Sequence, residues 1–343
     1  MLRILYAGTP DFAALPLPEL AAAHTVAAVL TNPPAVRGRK RNSAELVPQP
    51  TPVALAAEKL NAAAPDRQRI TILAPEKLTE EVRDAVAALE PDIMVCFSYG
   101  KIFGPKFLSL FPLGAVNLHP SLLPRYRGAS PVQAAILNGG RESGITVQRM
   151  VREMDAGDIL LQVPLSLGET ETSGEVLQRV GACGGALFLE VLRQIETGTL
   201  KPLPQDSSAA TYCSLLKKED GVINWNRTAA EIDAQIRAFS PWPGTFTTVK
   251  RPGKPDAIVH IHRASVYPES CPDGKDSGGQ LPPPGTIIGI DKKAGILVQT
   301  GKGVLALRIL QWETKKSLPW KDFLNGSADF IQAVLTDDAP DCP

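Results

Sequence analysis

The residues best equipped for chemistry fall in one run, Asn117-Leu-His-Pro-Ser-Leu-Leu-Pro-Arg-Tyr-Arg-Gly128. Side chains two apart on an extended strand share a face, so Asn117 and His119 point the same way. Pro120 removes a backbone donor and fixes φ, which ends the strand just after His119. An amide donor beside an imidazole at a strand end can bind a developing oxyanion, and imidazole exchanges a proton near neutral pH. Alone, Asn-x-His is a weak signal, since a satisfied loop histidine beside a structural asparagine is the ordinary case. Here it heads a long basic loop and has a candidate acidic partner, Asp155, in Met154-Asp-Ala-Gly-Asp158. A carboxylate before Ala-Gly belongs in a tight turn. By itself it reads as a turn residue bonded to its own backbone; with the upstream motif it becomes a group that could orient His119 or position a water.

These residues need a scaffold that brings strand ends together. Strand patterns run at Arg3–Tyr6, Thr25–Leu30, Ile70–Leu73, Asp92–Phe97, Gly114–His119, Gly144–Met150 and Asp158–Val163. Helical patterns lie between several of them, at Pro52–Ala62, Glu76–Leu89 and Pro131–Asn138, with another at Ser173–Ile195. This alternation predicts an α/β fold with a doubly wound, largely parallel, Rossmann-like sheet. Ligands of such sheets bind beyond the carboxyl ends of the strands, where His119 falls. Ala7-Gly-Thr-Pro-Asp11 follows the first strand but is not G-x-G-x-x-G, so it reads as a tight strand–helix turn and not as a nicotinamide site. Pro16 and Pro18 fall inside the first expected helix and have no functional reading.

Composition changes at Gly198–Ala210, a Pro- and Ser-containing stretch of linker character. Beyond it come a helix at Thr228–Phe239 and short β-runs at Thr245–Val249, Ile258–His262, Gly285–Ile290, Gly295–Thr300 and Val304–Leu310. Short strands with Gly-rich turns predict an OB-like β-barrel. The expected organisation is a catalytic domain over 1–197, a linker over 198–212, a C-terminal domain over 213–335 and an acidic tail over 336–343. Tyr267–Gly285 is expected to be a mobile loop.

The bulk properties narrow the class. The chain has 343 residues, 44 % hydrophobic and 21 % charged, with zero formal net charge, which excludes a broadly cationic nucleic-acid binder but not a local basic patch. Its five scattered cysteines form no C-x-x-C pair, so neither a disulfide framework nor a metal site is expected. A strand pattern at the first residues, with no leader before it and no long apolar run after it, predicts a bacterial cytoplasmic protein.

The joint pattern resembles the folate-dependent formyltransferase family. The resemblance rests on Asn117-Leu-His119, Ser121-Leu-Leu-Pro-Arg-Tyr-Arg-Gly128, Met154-Asp-Ala-Gly-Asp158, Ala7-Gly-Thr-Pro-Asp-Phe12 and Phe97-Ser-Tyr-Gly-Lys101. Phe239-Ser-Pro-Trp-Pro243, Pro284-Gly-Thr-Ile287 and Lys315-Lys316 are similar to the branch that formylates methionyl initiator tRNA. The resemblance implies transfer of the formyl group of 10-formyltetrahydrofolate to the free α-amine of that tRNA's methionine, without a metal. It implies Asn117, His119 and Asp155 as the catalytic trio, with protonated His119 and Asn117 both donating to the formyl oxygen. Tetrahydrofolate is expected at Ser121, Leu122, Leu123 and Pro124, with its pterin held by backbone at Phe97, Tyr99 and Gly100 and by the loop Asp155–Asp158.

The trio does not separate a tRNA substrate from a small amine. The loop Thr31–Thr51 carries Arg37-Gly-Arg-Lys-Arg41, a charge run that suits phosphate contact. The resemblance places this loop against the tRNA acceptor stem, with Arg37, Arg39 and Lys40 as contacts. Lys217, Lys218, Lys250, Arg251, Lys254, Lys292, Lys293 and Lys302 could form a second track for tRNA backbone, although any one of them is an ordinary surface cation. Trp225, Trp242, Trp312 and Trp320 read as core of the C-terminal module. A small-amine formyltransferase, a formyl-folate hydrolase and a non-enzymatic RNA-binding protein are the competing readings, and a monomer is expected.

Overall fold

The computed structural model describes residues 1–35, 48–64, 69–268 and 281–338. It divides into two units: Met1–Pro131 with Glu142–Ser166 and Val176–Cys213, and Val132–Arg141 with Leu167–Glu175 and Ser214–Pro343.

The strands of the first unit are β1 (Arg3–Gly8), β2 (Thr25–Leu30), β3 (Thr71–Leu73), β4 (Ile93–Phe97), β5 (Ala115–His119), β6 (Arg127–Gly128), β7 (Glu142–Arg149), β8 (Ile159–Ser166) and β9 (Tyr212–Cys213). Seven form one sheet in the order β3-β2-β1-β4-β5-β7-β8. β1 to β5 are parallel, as their near-continuous apolar sequences predict for strands buried on both faces. β7 is the exception and runs antiparallel to both β5 and β8. Residues 150–158 are too few for the crossover that a parallel neighbour requires, so β7 and β8 pair through a turn, and that turn carries Asp155.

One sheet face buries Leu5, Ala7, Ala28, Leu30, Met94, Cys96 and Ala115 against a row of rings, Tyr99, Phe103, Phe107 and Phe111, with centroids 5.1–5.9 Å apart. By strand alternation Asn117 and His119 continue the Ala115 face toward the carboxyl end of β5. The run expected as a linker is bonded along its length to this unit. Leu203 exchanges backbone bonds of 2.8 and 2.9 Å with Ile159, and β9 pairs in parallel with β6. Pro202 and Pro204 lack donors, but Leu203 between them keeps both backbone groups. Pro16 caps the helix Leu17–Ala23, and its ring lies where a side chain at Gly184 would stand.

In the second unit the helix Ala229–Ala238 starts from a reciprocal cap between Thr228 and Glu231, a device worth about 1 kcal/mol. Its strands are β10 (Phe246–Lys250), β11 (Ala257–Tyr267), β12 (Ile287–Asp291), β13 (Gly295–Gln299), β14 (Val304–Trp312), β15 (Leu318–Pro319) and β16 (Val334–Thr336). They form an antiparallel sheet in the order β12-β13-β14-β11-β10-β16, with β15 beside β14. The first and last strands meet: Thr286 bridges Val334, and Leu335 N–H donates to Gly285 O at 2.9 Å. β11 runs well past the expected His262 because register shifts at Arg263 break the alternation that would reveal its second half. Trp225, Trp312 and Trp320 join the core of this unit, whereas Trp242 is exposed.

Candidate active site

β5 and β7 place the site. Their register sets Asn117 opposite Gln148 and His119 opposite Thr146. His119 and Gln148 are buried, and Asn117 is half-buried at the strand end. The Asn117 amide makes no side-chain hydrogen bond within the described residues, which leaves a donor available beside the imidazole.

Asp155 reaches the same place from the β7–β8 turn. It adopts a left-handed backbone, φ +52°, which an aspartate tolerates better than most residues. Its carboxylate does not bond its own backbone as a simple turn residue would. Oδ2 accepts from Gly128 N–H at 2.9 Å, Oδ1 accepts from Gln148 Nε2 at 2.7 Å, and Oδ1 lies 3.6 Å from His119 Nδ1. Two glycines permit this closeness. A Cβ on Gly157 would lie 1.8 Å from Arg149 O, and one on Gly128, at φ +110°, would lie 2.2 Å from Cys213 O.

His119 Nε2 lies 2.8 Å from Tyr126 O. A carbonyl only accepts, so Nε2 carries the hydrogen, and in the neutral ring Nδ1 is the free lone pair beside Asp155. Burial lowers the His119 pKa from its ordinary value, opposed by the negative charge of Asp155 and by the bond to Tyr126. In the neutral ring His119 therefore faces the site with a lone pair at Nδ1, and it can donate from Nδ1 only once it is protonated. Asn117 is the free donor, and His119 offers a base.

The expected folate residues divide into two sets. Ser121 is fully buried, with Oγ donating to Arg125 O at 2.6 Å. Leu123 is buried, its N–H donating to Thr146 Oγ1 at 3.3 Å and its carbonyl accepting from Gln162 Nε2 at 3.0 Å. Both are therefore framework, because a β7 threonine and a β8 glutamine use their polar groups. Leu122, lying against Gly144, and Pro124 keep partial exposure. The side chains of Phe97 and Tyr99 are buried, Phe97 against Phe12 at 5.3 Å and Tyr99 in the ring row, so only their backbone can meet a ligand. Ser98 and Gly100 are exposed and left-handed, φ +54° and +85°. Tyr99 O ties the strand ends together by accepting from Thr9 Oγ1 at 3.2 Å and Asn32 Nδ2 at 3.3 Å, and only Thr9 and Pro10 separate β1 from the helix that starts at Asp11. Asn32 Oδ1 is buried without a partner among the described residues. A free amide, an orphaned buried acceptor and turned-out backbone at one set of strand ends fit a heteroaromatic ligand rich in donors and acceptors.

A surface cavity lined by Met1, Pro18, His24, Thr25 and Ile70 opens at the opposite, amino ends of β1 to β3, away from these groups. Among the described residues no group of three or more His, Cys, Asp or Glu could hold a metal, and no helix is long and apolar enough to cross a membrane. Arg37, Arg39 and Lys40 lie outside the described residues, as does most of Tyr267–Gly285. In the second unit three expected phosphate contacts are paired already. Lys250 meets Asp338, Lys254 Nζ is 2.8 Å from Asp329, and Arg251 is 3.3 Å from Asp329 with its guanidinium over Trp312. Arg251 is mostly buried and belongs to the framework. Sequence reasoning missed Gln148, Gln205 and the Tyr126 carbonyl; Gln148 carries no signal of its own, because β7 also holds Glu142, Ser143, Thr146 and Arg149.

Residues 3–192 match the family Formyl transferase, and residues 215–328 match Formyl transferase, C-terminal domain. A methionyl-tRNA formyltransferase of Treponema denticola is 44 % identical over 96 % of this chain and 98 % of its own length. Another, from Carboxydothermus hydrogenoformans, is 38 % identical over 95 % and 96 %. Two solved structures share the fold. HypX from Aquifex aeolicus in complex with tetrahydrofolic acid has a TM-score of 0.61 at 16 % identity, covering 94 % of this chain and 47 % of that one. A methionyl-tRNA formyltransferase from Clostridium thermocellum has a TM-score of 0.52 at 20 % identity, covering 78 % and 94 %.

Proposed function

The chain belongs to the methionyl-tRNA formyltransferase family, and from that premise we propose that Asn117, His119 and Asp155 carry out its transfer reaction. The enzyme moves the formyl group of 10-formyltetrahydrofolate to the α-amine of methionyl initiator tRNA. The observation that carries the residue assignment is an unpartnered Asn117 amide beside a buried His119–Asp155 pair at the end of β5.

Bound folate supplies an electrophilic formyl carbon. Asn117 donates to the formyl oxygen as negative charge grows there during attack by the amine. Neutral His119, its tautomer fixed by Tyr126 O, takes the amine proton at Nδ1. Asp155, 3.6 Å away, then stabilises the imidazolium, whose charge also favours the oxyanion. His119 returns the proton to the departing nitrogen, so no net proton is taken up. Holding both substrates at one sheet edge supplies much of the acceleration.

Leu122 and Pro124 contact the folate directly, with Ser121 and Leu123 shaping the strand behind them. Backbone at Phe97–Gly100 and the loop Asp155–Asp158 hold the pterin. Residues 1–197 form the catalytic domain and 198–212 the connection to a tRNA-binding domain over 213–335, followed by the tail 336–343. The meeting of β12 and β16 supports an OB-like barrel for the C-terminal domain. Arg37, Arg39 and Lys40 contact the acceptor stem. The protein acts in the cytoplasm as a monomer.

The test is a formyl-transfer assay on charged initiator tRNA, charged elongator tRNA and small amines. Turnover should be confined to the charged tRNAs, with the initiator preferred. Activity on a small amine alone would overturn the assignment.

A further inference from the structure

The buried guanidinium of Arg127 has no carboxylate within 4 Å among the described residues. Its Nε and Nη2 donate instead to one neutral oxygen, Gln205 Oε1, at 3.0 and 2.8 Å. The other end of the same amide faces the opposite way. Gln205 Nε2 lies 2.9 Å from Asp155 O and 2.6 Å from Gly157 O. One side chain thus bolts two loops together. The first carries Tyr126, whose carbonyl fixes His119 Nε2, and Gly128, whose N–H holds Asp155 Oδ2. The second carries Asp155 in its left-handed turn.

We propose that Gln205 is a positioning residue of the formyl transfer, holding the Asp155 turn against the Tyr126–Gly128 loop so that the carboxylate stays beside His119. The inference rests on the role assigned above to the His119–Asp155 pair. Only an amide of this length meets the requirement. It presents a two-lone-pair acceptor to a forked cation and a two-hydrogen donor to two carbonyls. A glutamate keeps the acceptor and loses the donor, setting a carboxylate against two carbonyl oxygens. An alanine loses both and leaves the buried Arg127 without its main acceptor. Left-handed backbone at a non-glycine residue persists only when its surroundings over-determine it, and the Gln205 bonds to the carbonyls of Asp155 and Gly157 provide part of that constraint.

Placement errors of about 1 Å in a catalytic group cost on the order of 10²-fold in rate. Gln205→Ala and Gln205→Glu should each lower kcat by about that factor, with KM for the folate and for the tRNA within twofold of wild type. The acid limb of the rate profile should also move, in opposite directions. The limb follows His119, whose pKa is lowered by burial and raised by the Asp155 charge and the Tyr126 carbonyl; the Arg127 guanidinium and the Cys213 and Cys96 thiols lie around the pair, and burial raises both thiols so that they stay neutral there. In Gln205→Ala, Asp155 drifts from His119 and the limb falls. In Gln205→Glu, an added negative charge beside the pair raises it. Gln205→Glu keeps the size and shape of the side chain and leaves no cavity, so it decides the matter if the alanine variant does not fold. Unchanged kcat in a folded variant, or a kcat loss with an unmoved acid limb, overturns the proposal. His119→Asn, measured alongside, separates failure of this inference from failure of the catalytic assignment, because it removes the acid limb whatever Gln205 does.

Discussion

Asp155 and the cations of the second unit are both charged groups with partners, yet the partners differ in kind. Asp155 is held by neutral groups drawn from 27, 7 and 50 residues away: Gly128 N–H, Gln148 and Gln205. Lys254 and Lys250 are held by single carboxylates, Asp329 and Asp338, with both lysines about half exposed to water. Solvent and salt screen the second kind, and a phosphate can replace the carboxylate at little cost. Nothing in water can replace the first kind, because removing one member strands a buried polar group. The catalytic corner is therefore built to keep its geometry, and the cationic surface is built to exchange partners.

The largest effect that can break this contrast lies at His119. His119→Asn removes the base and should cost about 10²–10⁴-fold in kcat. In wild type, activity should fall as pH drops through the His119 pKa, which burial sets below the ordinary imidazole value of about 6.5. Folding stability shares the sign. Below about 6.5 the unfolded chain binds a proton that buried His119 resists, so stability is full above that value and declines as pH falls. His24 and His260, also lowered chiefly by burial, add to the same slope. Thermal melts of His119→Asn should show a shallower decline, not a flat one. A rate profile of the variant that still bends where wild type bends would assign the base elsewhere.

Asn117→Ala comes next. It deletes an amide donor that is unpartnered among the described residues, and loss of a single oxyanion donor costs about 10²–10³-fold in kcat. Because the oxygen acquires charge only as the reaction proceeds, single-turnover formyl transfer should slow while substrate KM changes little. Near-full turnover would shift the whole electrostatic burden to the imidazolium.

The sequence carried this contrast unevenly. Asn117 and His119 were legible because a two-residue spacing on a strand fixes a shared face, and the proline after them fixes the end of the strand. Asp155 was legible through Ala-Gly, since its crowding against Arg149 O admits only a glycine at position 157. Gln148 was not, because its role follows from the antiparallel register that sets it across from Asn117, and register is a tertiary fact. Gln205 was hidden for another reason: prolines on both sides of Leu203 suggested a connector, while the alternate residues still docked onto β8. Ser121 and Leu123 looked like ligand contacts because they sit in the motif. Their hydroxyl and backbone groups are consumed by Arg125, Thr146 and Gln162, and a strand-end motif does not reveal which of its members face inward.

The smallest effect sharpens the other half of the comparison. Lys302 has no ion pair within 4 Å among the described residues, whereas Lys254 is paired with Asp329. A free cation that meets RNA backbone releases one condensed counterion, so Lys302→Gln should lower the slope of log affinity against log salt by about 1. Lys254 exchanges Asp329 for phosphate at little cost in energy, but the released carboxylate takes up a cation from solution, so the net ion release is smaller. Lys254→Gln should therefore change the slope by less. Titrations of charged initiator tRNA at several salt concentrations measure both. If Lys254→Gln changes the slope as much as Lys302→Gln, the pair with Asp329 imposes no restraint and the distinction between free and committed cations fails. If neither variant changes it, the tRNA backbone does not cross this face, and the acceptor-stem contacts expected at Arg37, Arg39 and Lys40 must supply the charge dependence.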